Sequence, residues 1–272
     1  MYIYWQVFCL AKLFESKMQL CLILLWPVLI LFEVAANADH IITNGYPATV
    51  GQAPYIVGLL LREGHAARWC GGSIIDHKWV LTAAHCTDHI DSVSIYYGAT
   101  RRTQALFHLL VGIEDIVQHP NWPESIGNDI ALIHTPYVGF WSLVNKVLLP
   151  GFGQRSVSFE SHPVVTCGWG STYDGSALPD WLQCIDLRVI SNDECARSYG
   201  TLPASVLCVA TPEGRSICDG DSGGPLVTVD DPKLVGITSF SDADSCLSVA
   251  PAGFTRITHH LDWIRQVSGV YY

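Results

Sequence analysis

The sequence predicts an all-β protein of antiparallel strands that ends in one helix. Short apolar runs alternate with turn residues along most of the chain, and 23 glycines and 14 prolines interrupt its 272 residues. Such spacing is typical of antiparallel barrels or of a sandwich, and the residues alone do not choose between the two. Near the C terminus, Leu261, Ile264 and Val267 recur at helical spacing and predict the final helix.

Composition limits the function. The hydrophobic fraction of 49% indicates a globular protein, and the formal net charge of −10 gives no electrostatic support for binding nucleic acid. Ten cysteines suggest an oxidising compartment. The histidines and carboxylates show no spacing typical of metal ligands, so neither a metal nor a cofactor is expected.

Residues 1–38 predict a signal peptide. An apolar run at 20–32 is shorter than the roughly 18–20 residues that span a bilayer. Two lysines precede this run, and Ala36-Asn37-Ala38 provides a cleavage signal. A membrane anchor is the alternative, and a start at Met18 would make residues 1–17 an upstream extension. We expect a secreted protein that has no membrane contact once the leader is removed.

Residues 39–41 are then a short pro-segment, and the mature chain begins at Ile42-Thr43-Asn44-Gly45. An aliphatic N terminus released by proteolysis could fold inward, where its ammonium would require a buried carboxylate. Asp221 is the expected partner of the Ile42 ammonium. An ordinary first strand and turn explains the same residues equally well.

The predicted strands fall into two groups. The residues predict strands at 55–61, 69–75 and 79–81, and then at 164–168, 182–189, 206–209, 226–229, 234–239 and 253–257. Residues 140–150 look like a connector between two halves. We place the first half at 42–147, the second half at 148–257 and the final helix at 258–268.

The strongest chemical signal is Cys218-Asp219-Gly220-Asp221-Ser222-Gly223-Gly224-Pro225. A serine hydroxyl is a weak nucleophile unless a base accepts its proton and donors stabilise the resulting oxyanion. The flanking glycines allow a sharp turn from which the N–H groups of Gly220 and Ser222 can converge. A polar glycine-rich turn without chemistry is the alternative for this stretch alone.

Two further residues complete a set with Ser222. His85 lies in Thr82-Ala83-Ala84-His85-Cys86, where small residues and a cysteine would hold its ring. Asp129 precedes an apolar strand, and a buried carboxylate needs a donor such as a histidine N–H. Taken alone, Asp129 is more often a turn or capping residue.

In this chain order, His85, Asp129 and Ser222, with the motifs quoted around them, resemble the chymotrypsin-like serine proteases. The resemblance covers nearly all of the chain from Ile42 onward, and it implies two antiparallel six-stranded β-barrels with a C-terminal helix. It also implies a secreted, monomeric endopeptidase that digests protein, with the gut lumen as its place of action. The resemblance to the Jonah-type digestive proteases of flies is closer in three stretches, Ile42 to Ala48, Phe140 to Val147 and Leu178 to Gln183.

The resemblance implies a role for each residue of the set. His85 accepts the Ser222 proton and returns it to the leaving amine, and Asp129 holds the imidazole. The N–H groups of Gly220 and Ser222 hold the oxyanion, and an acyl-enzyme forms on Ser222. Polypeptide substrates and protein inhibitors of proteases are the expected partners.

The specificity pocket follows from the same resemblance. Ser216 lies at its floor, Ser241 and Ala252 form its walls, and Phe240 takes the place of the usual tryptophan. Ser239 would support Asp129, and the backbone from Ser239 to Ser241 would pair with the substrate as an added strand. The floor offers no charge for Lys or Arg, and the side chains of Ser241 and Ala252 narrow the slot. We expect cleavage after Leu, Met, Phe or Tyr, with Trp disfavoured. Attraction of basic side chains to the aspartates at the rim, Asp219, Asp242 and Asp244, is the alternative.

The cysteines follow the family in part. The resemblance implies the disulfides Cys70–Cys86, Cys195–Cys208 and Cys218–Cys246. Cys167 and Cys184 are additional, and they flank a predicted hairpin loop at 169–181. We predict a fourth, cross-strand disulfide between them, and two unpaired thiols are the alternative.

The residues before Ile42 depart from the family pattern. Most relatives have a basic residue there, whereas this chain has His40-Ile41. Three outcomes remain open. A protease of apolar specificity, which could be this protein itself, cuts after Ile41. Signal processing and trimming create the terminus. Alternatively, the chain is never activated and serves as a non-catalytic, secreted binding protein.

Overall fold

The computed structural model describes residues 43–123 and 125–272. The predicted signal peptide, the pro-segment and Ile42 lie outside the described residues. The described chain forms two antiparallel sheets and three α-helices, α1 (Ala84–Thr87), α2 (Asn192–Tyr199) and α3 (Ile257–Ser268). None of its helices is long and apolar enough to cross a membrane.

The first sheet follows a two-residue strand, β1 (Tyr46–Pro47), which belongs to the second sheet. It contains β2 (Ile56–Glu63), β3 (Ala66–Asp76), β4 (Trp79–Thr82), β5 (Ser92–Tyr97), β6 (Phe107–Gly112), β7 (Ile116–Gln118) and β8 (Ala131–His134). Hydrogen bonding gives the order β6-β5-β2-β3-β4-β8-β7. A 3-10 turn at Ile113–Asp115 separates β6 from β7. Because β6 and β7 are consecutive parts of one bent length of chain, they count as one strand, and the sheet forms a six-stranded half-barrel in which no pairing joins the two ends within the described chain.

The second sheet contains β1 and six longer strands. These are β9 (Pro163–Gly168), β10 (Gln183–Ile190), β11 (Val206–Ala210), β12 (Pro225–Thr228), β13 (Leu234–Phe240) and β14 (Ala252–Arg256). Their order is β1-β10-β11-β14-β13-β12-β9, and β9 also pairs with β10, so the six longer strands close into a barrel. The predicted fold class, two antiparallel six-stranded barrels and a C-terminal helix, is confirmed.

Four disulfides join neighbouring elements. The register of β9 and β10 places Cys167 directly opposite Cys184, with their Cα atoms 4.1 Å apart, and the two residues are bonded. A hairpin that brings its flanking residues into register therefore explains this additional bridge. The other three disulfides are Cys70–Cys86, Cys195–Cys208 and Cys218–Cys246.

The final helix, α3, packs against both barrels. Leu261 and Ile264 are buried in a cluster that includes Leu132 of β8 in the first barrel and Ile237 of β13 in the second. Because the two barrels share this apolar cluster, the helix stabilises both.

Candidate active site

His85 lies in the one-turn helix α1, directly after β4. Ala83 and Ala84 are fully buried, so this segment packs closely against the first barrel. The Cys70–Cys86 disulfide ties the helix to β3. The packing and the disulfide fix the backbone at His85. Its side chain remains 33% exposed, so the ring stays accessible.

Asp129 lies beside His85 because β8, which begins two residues later, pairs with β4. Their register sets Thr82 opposite Ala131. The Asp129 carboxylate is 2% exposed. It accepts three hydrogen bonds: from the main-chain N–H of His85 at 2.9 Å, from His85 Nδ1 at 2.7 Å and from Ser239 Oγ at 2.6 Å. A buried carboxylate is thus fully provided with donors.

Ser222 lies in the turn that precedes β12, and this turn is bonded to both barrels. Its carbonyl accepts from the N–H of Gly71, in β3, at 2.8 Å. The next residue, Gly223, has φ +76° and donates its N–H to the carbonyl of Thr238 at 2.8 Å. A Cβ placed on Gly223 would lie 2.2 Å from Thr82 Oγ1 and 3.1 Å from the nitrogen of Ala83. Ser222 is therefore held against the segment that carries His85.

The Ser222 hydroxyl makes no hydrogen bond to His85 within the described part of the chain. His85 Nε2 lies 3.8 Å from the sulfur of Cys86. Catalytic hydrogen bonds are often long in the free protein and tighten when substrate binds.

Two main-chain N–H groups remain free beside Ser222. Gly220 has φ +96°, a conformation that favours glycine. Among the described residues, the N–H groups of Gly220 and Ser222 donate to no protein acceptor, whereas those of Asp221, Gly223 and Gly224 all do. The turn can therefore offer two donors to a ligand oxygen.

Asp221 is buried beneath the same turn. Its carboxylate accepts from the N–H of Gly170 at 2.8 Å and from that of Cys218 at 3.0 Å. Burial raises the pKa of Asp221 to about 7, although these two bonds lower it, and neighbouring Asp219 adds a smaller rise. A cation brought beside this carboxyl would stabilise its ionised form. The expected ammonium belongs to Ile42, which lies outside the described residues, so this pairing stays a prediction.

A cavity of about 260 Å³ opens beside Ser222. Ser239, Phe240 and Ser241, predicted at the specificity pocket, line this cavity. Ser216 and Ala252 are not among its lining residues. Ser216 is bonded through its backbone to Thr43 Oγ1, and Ala252 is buried in the core of the second barrel. The full lining is Asp174, Ile217, Cys218, Asp219, Ser222, Thr238, Ser239, Phe240, Ser241, Asp242, Ala243 and Cys246.

The interior and the mouth of this cavity differ in character. Ile217 and Thr238 are buried, whereas Asp174 and Asp219 are exposed. Asp174 accepts from the N–H of Cys246 at 2.7 Å and from Ser245 Oγ at 2.9 Å, and these bonds lower the pKa of Asp174. The mouth is therefore acidic.

Sequence reasoning missed two residues that position the site. Thr255 Oγ1 donates to the carbonyl of Asp129 at 2.7 Å, and Thr82 Oγ1 donates to the carbonyl of Gly71 at 2.8 Å. Thr82 belonged to a quoted motif and could have been found. Thr255 lies 126 residues from Asp129 and no local signal marks it.

Comparisons with known proteins agree with this architecture. A family model described as Trypsin matches residues 42–264. The chain is 53% identical over 232 residues to Serine protease 1 of Drosophila melanogaster, covering 85% of this chain and 87% of the relative. It is 38% identical over 233 residues to Collagenase of Hypoderma lineatum, covering 84% and 88%. The solved structure of HL collagenase at 1.7 Å resolution matches 85% of this chain and all of its own, with a TM-score of 0.79 and 37% identity.

The fold and these matches define a chymotrypsin-like serine protease. The chain belongs to the trypsin family and is a serine endopeptidase. Polypeptides are therefore its substrates.

Proposed function

We propose that Ser222 is the nucleophile, His85 the general base and Asp129 the residue that orients His85. The observation that carries this proposal is the double hydrogen bond from His85, through its N–H and Nδ1, to one carboxylate. A carboxylate only accepts, so Nδ1 carries the proton in the neutral ring. The lone pair of Nε2 is then free to accept the proton of a serine.

These proposed roles imply the following reaction. Ser222 Oγ attacks the peptide carbonyl while His85 Nε2 takes its proton, and the oxyanion is stabilised by the N–H groups of Gly220 and Ser222. The C–N bond breaks as the imidazolium protonates the leaving amine. Water, activated by the same histidine, then releases the acyl group from Ser222.

The alternative is a non-catalytic binding protein, and the absence of a basic residue before Ile42 favours it. N-terminal sequencing of secreted material, followed by labelling with diisopropyl fluorophosphate, separates the two functions. We expect a mature chain that begins at Ile42 and is labelled once, and Ser222→Ala should abolish the label. A processed chain that begins at Ile42 and is not labelled would favour the binding protein.

We also propose cleavage after apolar residues. Support comes from two residues that line the cavity, the buried Ile217 and Phe240, whose Cζ lies 2.1 Å from the position of a Cβ placed on Gly253. Phe240 is held edge-to-face against Tyr199, with ring centroids 5.2 Å apart. A fixed aromatic wall favours Leu, Met, Phe or Tyr and disfavours the larger Trp.

The acidic mouth supports a rival preference for Lys or Arg, because Asp174, Asp219 and Asp242 all line the cavity. Peptide nitroanilides that differ only at the residue before the scissile bond decide between the two, at low and at high salt. If basic residues are preferred, Asp219→Asn should weaken that preference and Asp230→Asn, remote from this cavity, should not. A clear preference for Arg over both Phe and Leu would overturn the apolar assignment.

We further propose that the enzyme is a secreted, monomeric digestive protease of the gut lumen and a target of protein protease inhibitors. The resemblance to digestive proteases of flies supports this role, since proteins of that kind are generally secreted. Detection in gut contents of the chain that begins at Ile42 would test it. Its restriction to tissue outside the gut would contradict it.

A further inference from the structure

A second cavity, of about 420 Å³, lies at the N-terminal end of α3 and contains no residue of the candidate active site. Arg256 directly precedes this helix, and Thr258 and His259 lie in its first turn. These three residues line the cavity, together with Arg155, Ser156 and Ser158. Its lining is thus rich in cations and hydroxyl groups.

No carboxylate of the described residues neutralises the Arg256 guanidinium. Its partners are neutral oxygens: the carbonyls of Ser158, Ala204 and Val206 and the side chain of Asn192. Burial lowers the pKa of Arg256. A guanidinium has five N–H groups, and these bonds use one at Nε, one at Nη1 and two at Nη2. One Nη1 N–H is left to donate to a ligand.

The first-turn N–H groups of α3 have no side-chain acceptor within the described residues. No side chain caps its first turn, and that turn contains no acidic residue. A helix of 12 residues presents partial positive charge at this end. Thr258 is 4% exposed, and its hydroxyl has no hydrogen-bond partner within the described residues. An unpaired buried hydroxyl is unfavourable, and an acceptor oxygen of a ligand would satisfy it.

We propose that this cavity binds a tetrahedral oxyanion, sulfate or phosphate, either free or as a monoester group. Such an ion offers several acceptor oxygens in different directions, to Arg256, to the Thr258 hydroxyl and to the first-turn N–H groups of α3. His259 lies exposed at the edge. Arg155 is paired with Asp262 and so contributes less. Because the whole chain has a net charge of −10, binding depends on this local arrangement rather than on the overall field.

Titration calorimetry of the processed protein tests the proposal. Sodium sulfate, sodium phosphate and glucose 6-sulfate are each titrated at constant ionic strength, with sodium chloride as the reference. Saturable binding of one of the free ions is expected. Equal binding of glucose 6-sulfate would assign the site to monoester groups, and weaker binding would assign it to free ions. If sulfate, phosphate and the ester all behave like chloride, the proposal is overturned.

Variants locate the binding. Thr258→Val removes the donor with little change of shape, and the sulfate Kd should rise about three- to tenfold, as for one lost hydrogen bond. His259→Glu places a carboxylate in the first turn, and we expect sulfate Kd to rise at least about tenfold. His108→Glu makes the same change on β6 of the other barrel, as a control. Thermal unfolding verifies that each variant folds. Unchanged sulfate binding in both folded α3 variants would assign the ion to another place and refute the proposal.

Discussion

Asp129→Asn changes the proposed catalytic residue whose hydrogen bonds the structure defines most completely. The carboxylate accepts from His85 N at 2.9 Å, from His85 Nδ1 at 2.7 Å and from Ser239 Oγ at 2.6 Å. An amide has the same shape, but only its oxygen accepts. If that oxygen stays on the His85 N–H, the NH₂ group donates to Nδ1 and leaves the ring proton on Nε2. A protonated Nε2 cannot take the proton of Ser222.

The magnitude follows from what is lost. A positioned general base contributes about 10²–10⁴-fold to the rate, and Asp129→Asn also removes the charge that stabilises the imidazolium. We expect kcat to fall about 10³–10⁴-fold, or roughly 4–5.5 kcal/mol in the barrier. KM should change little, since Asp129 does not line the cavity beside Ser222.

The assay is steady-state hydrolysis of a peptide nitroanilide, with active sites counted by titration. Asp115→Asn is the matched control, because Asp115 Oδ1 pairs with His134 Nδ1 at 3.4 Å where both side chains are well exposed. An exposed pair is worth about 0–1 kcal/mol, and kcat should stay within about twofold of the parent value. A folded Asp129→Asn protein that retains kcat within about tenfold of the parent would refute this account of His85.

Three other predictions follow from the packing. Gly223→Ala should lower the free energy of unfolding by about 2–5 kcal/mol, because its left-handed backbone strains an alanine and the added Cβ overlaps Thr82. The control Gly175→Ala also has a positive φ, +73°, but open space around it, and should lower the free energy of unfolding by about 1–2 kcal/mol. Equal losses for the two variants in denaturant melts would contradict the packing argument. The raised pKa of Asp221 in the folded state destabilises the uncleaved chain as pH rises from about 4 to 7. Asp221→Asn should therefore gain stability relative to the parent over that interval, on the order of 4 kcal/mol, and a pH-independent difference in urea melts would oppose it. Eight of the ten cysteines are bonded and the other two lie within residues 1–38, so alkylation of the mature chain without reduction should add no label.

The parts of the site that the sequence predicts are those set by short-range chemistry. The close packing of the segment before His85 requires small residues, and the sharp turn around Ser222 requires glycines. Both requirements are local and can be recognised in the sequence. The Cys167–Cys184 bridge was likewise predictable, because two residues that flank a hairpin face each other across its strands. The spacing of apolar runs predicted the six longer strands of the second group and the final helix, but in the first group it did not identify β5, β6 or β7.

The remaining features depend on the register between distant strands, which spacing alone does not set. The hydroxyl of Thr255 reaches the Asp129 carbonyl only because β14 and the turn before β8 meet where the two barrels pack. Asp174 reaches Ser245 and Cys246 across 71 and 72 residues.

The two barrels and the candidate site are held by the same bonds. Gly71 of the first barrel binds the carbonyl of Ser222 in the second, and Thr255 and Ser239 of the second barrel bind Asp129 in the first. Ser222 and Asp129 are thus each fixed partly by the barrel that does not carry them. Separation of the barrels would move Ser222 away from the segment of His85 even if each barrel kept its strands. Activity should therefore be lost before secondary structure whenever the packing between the barrels weakens.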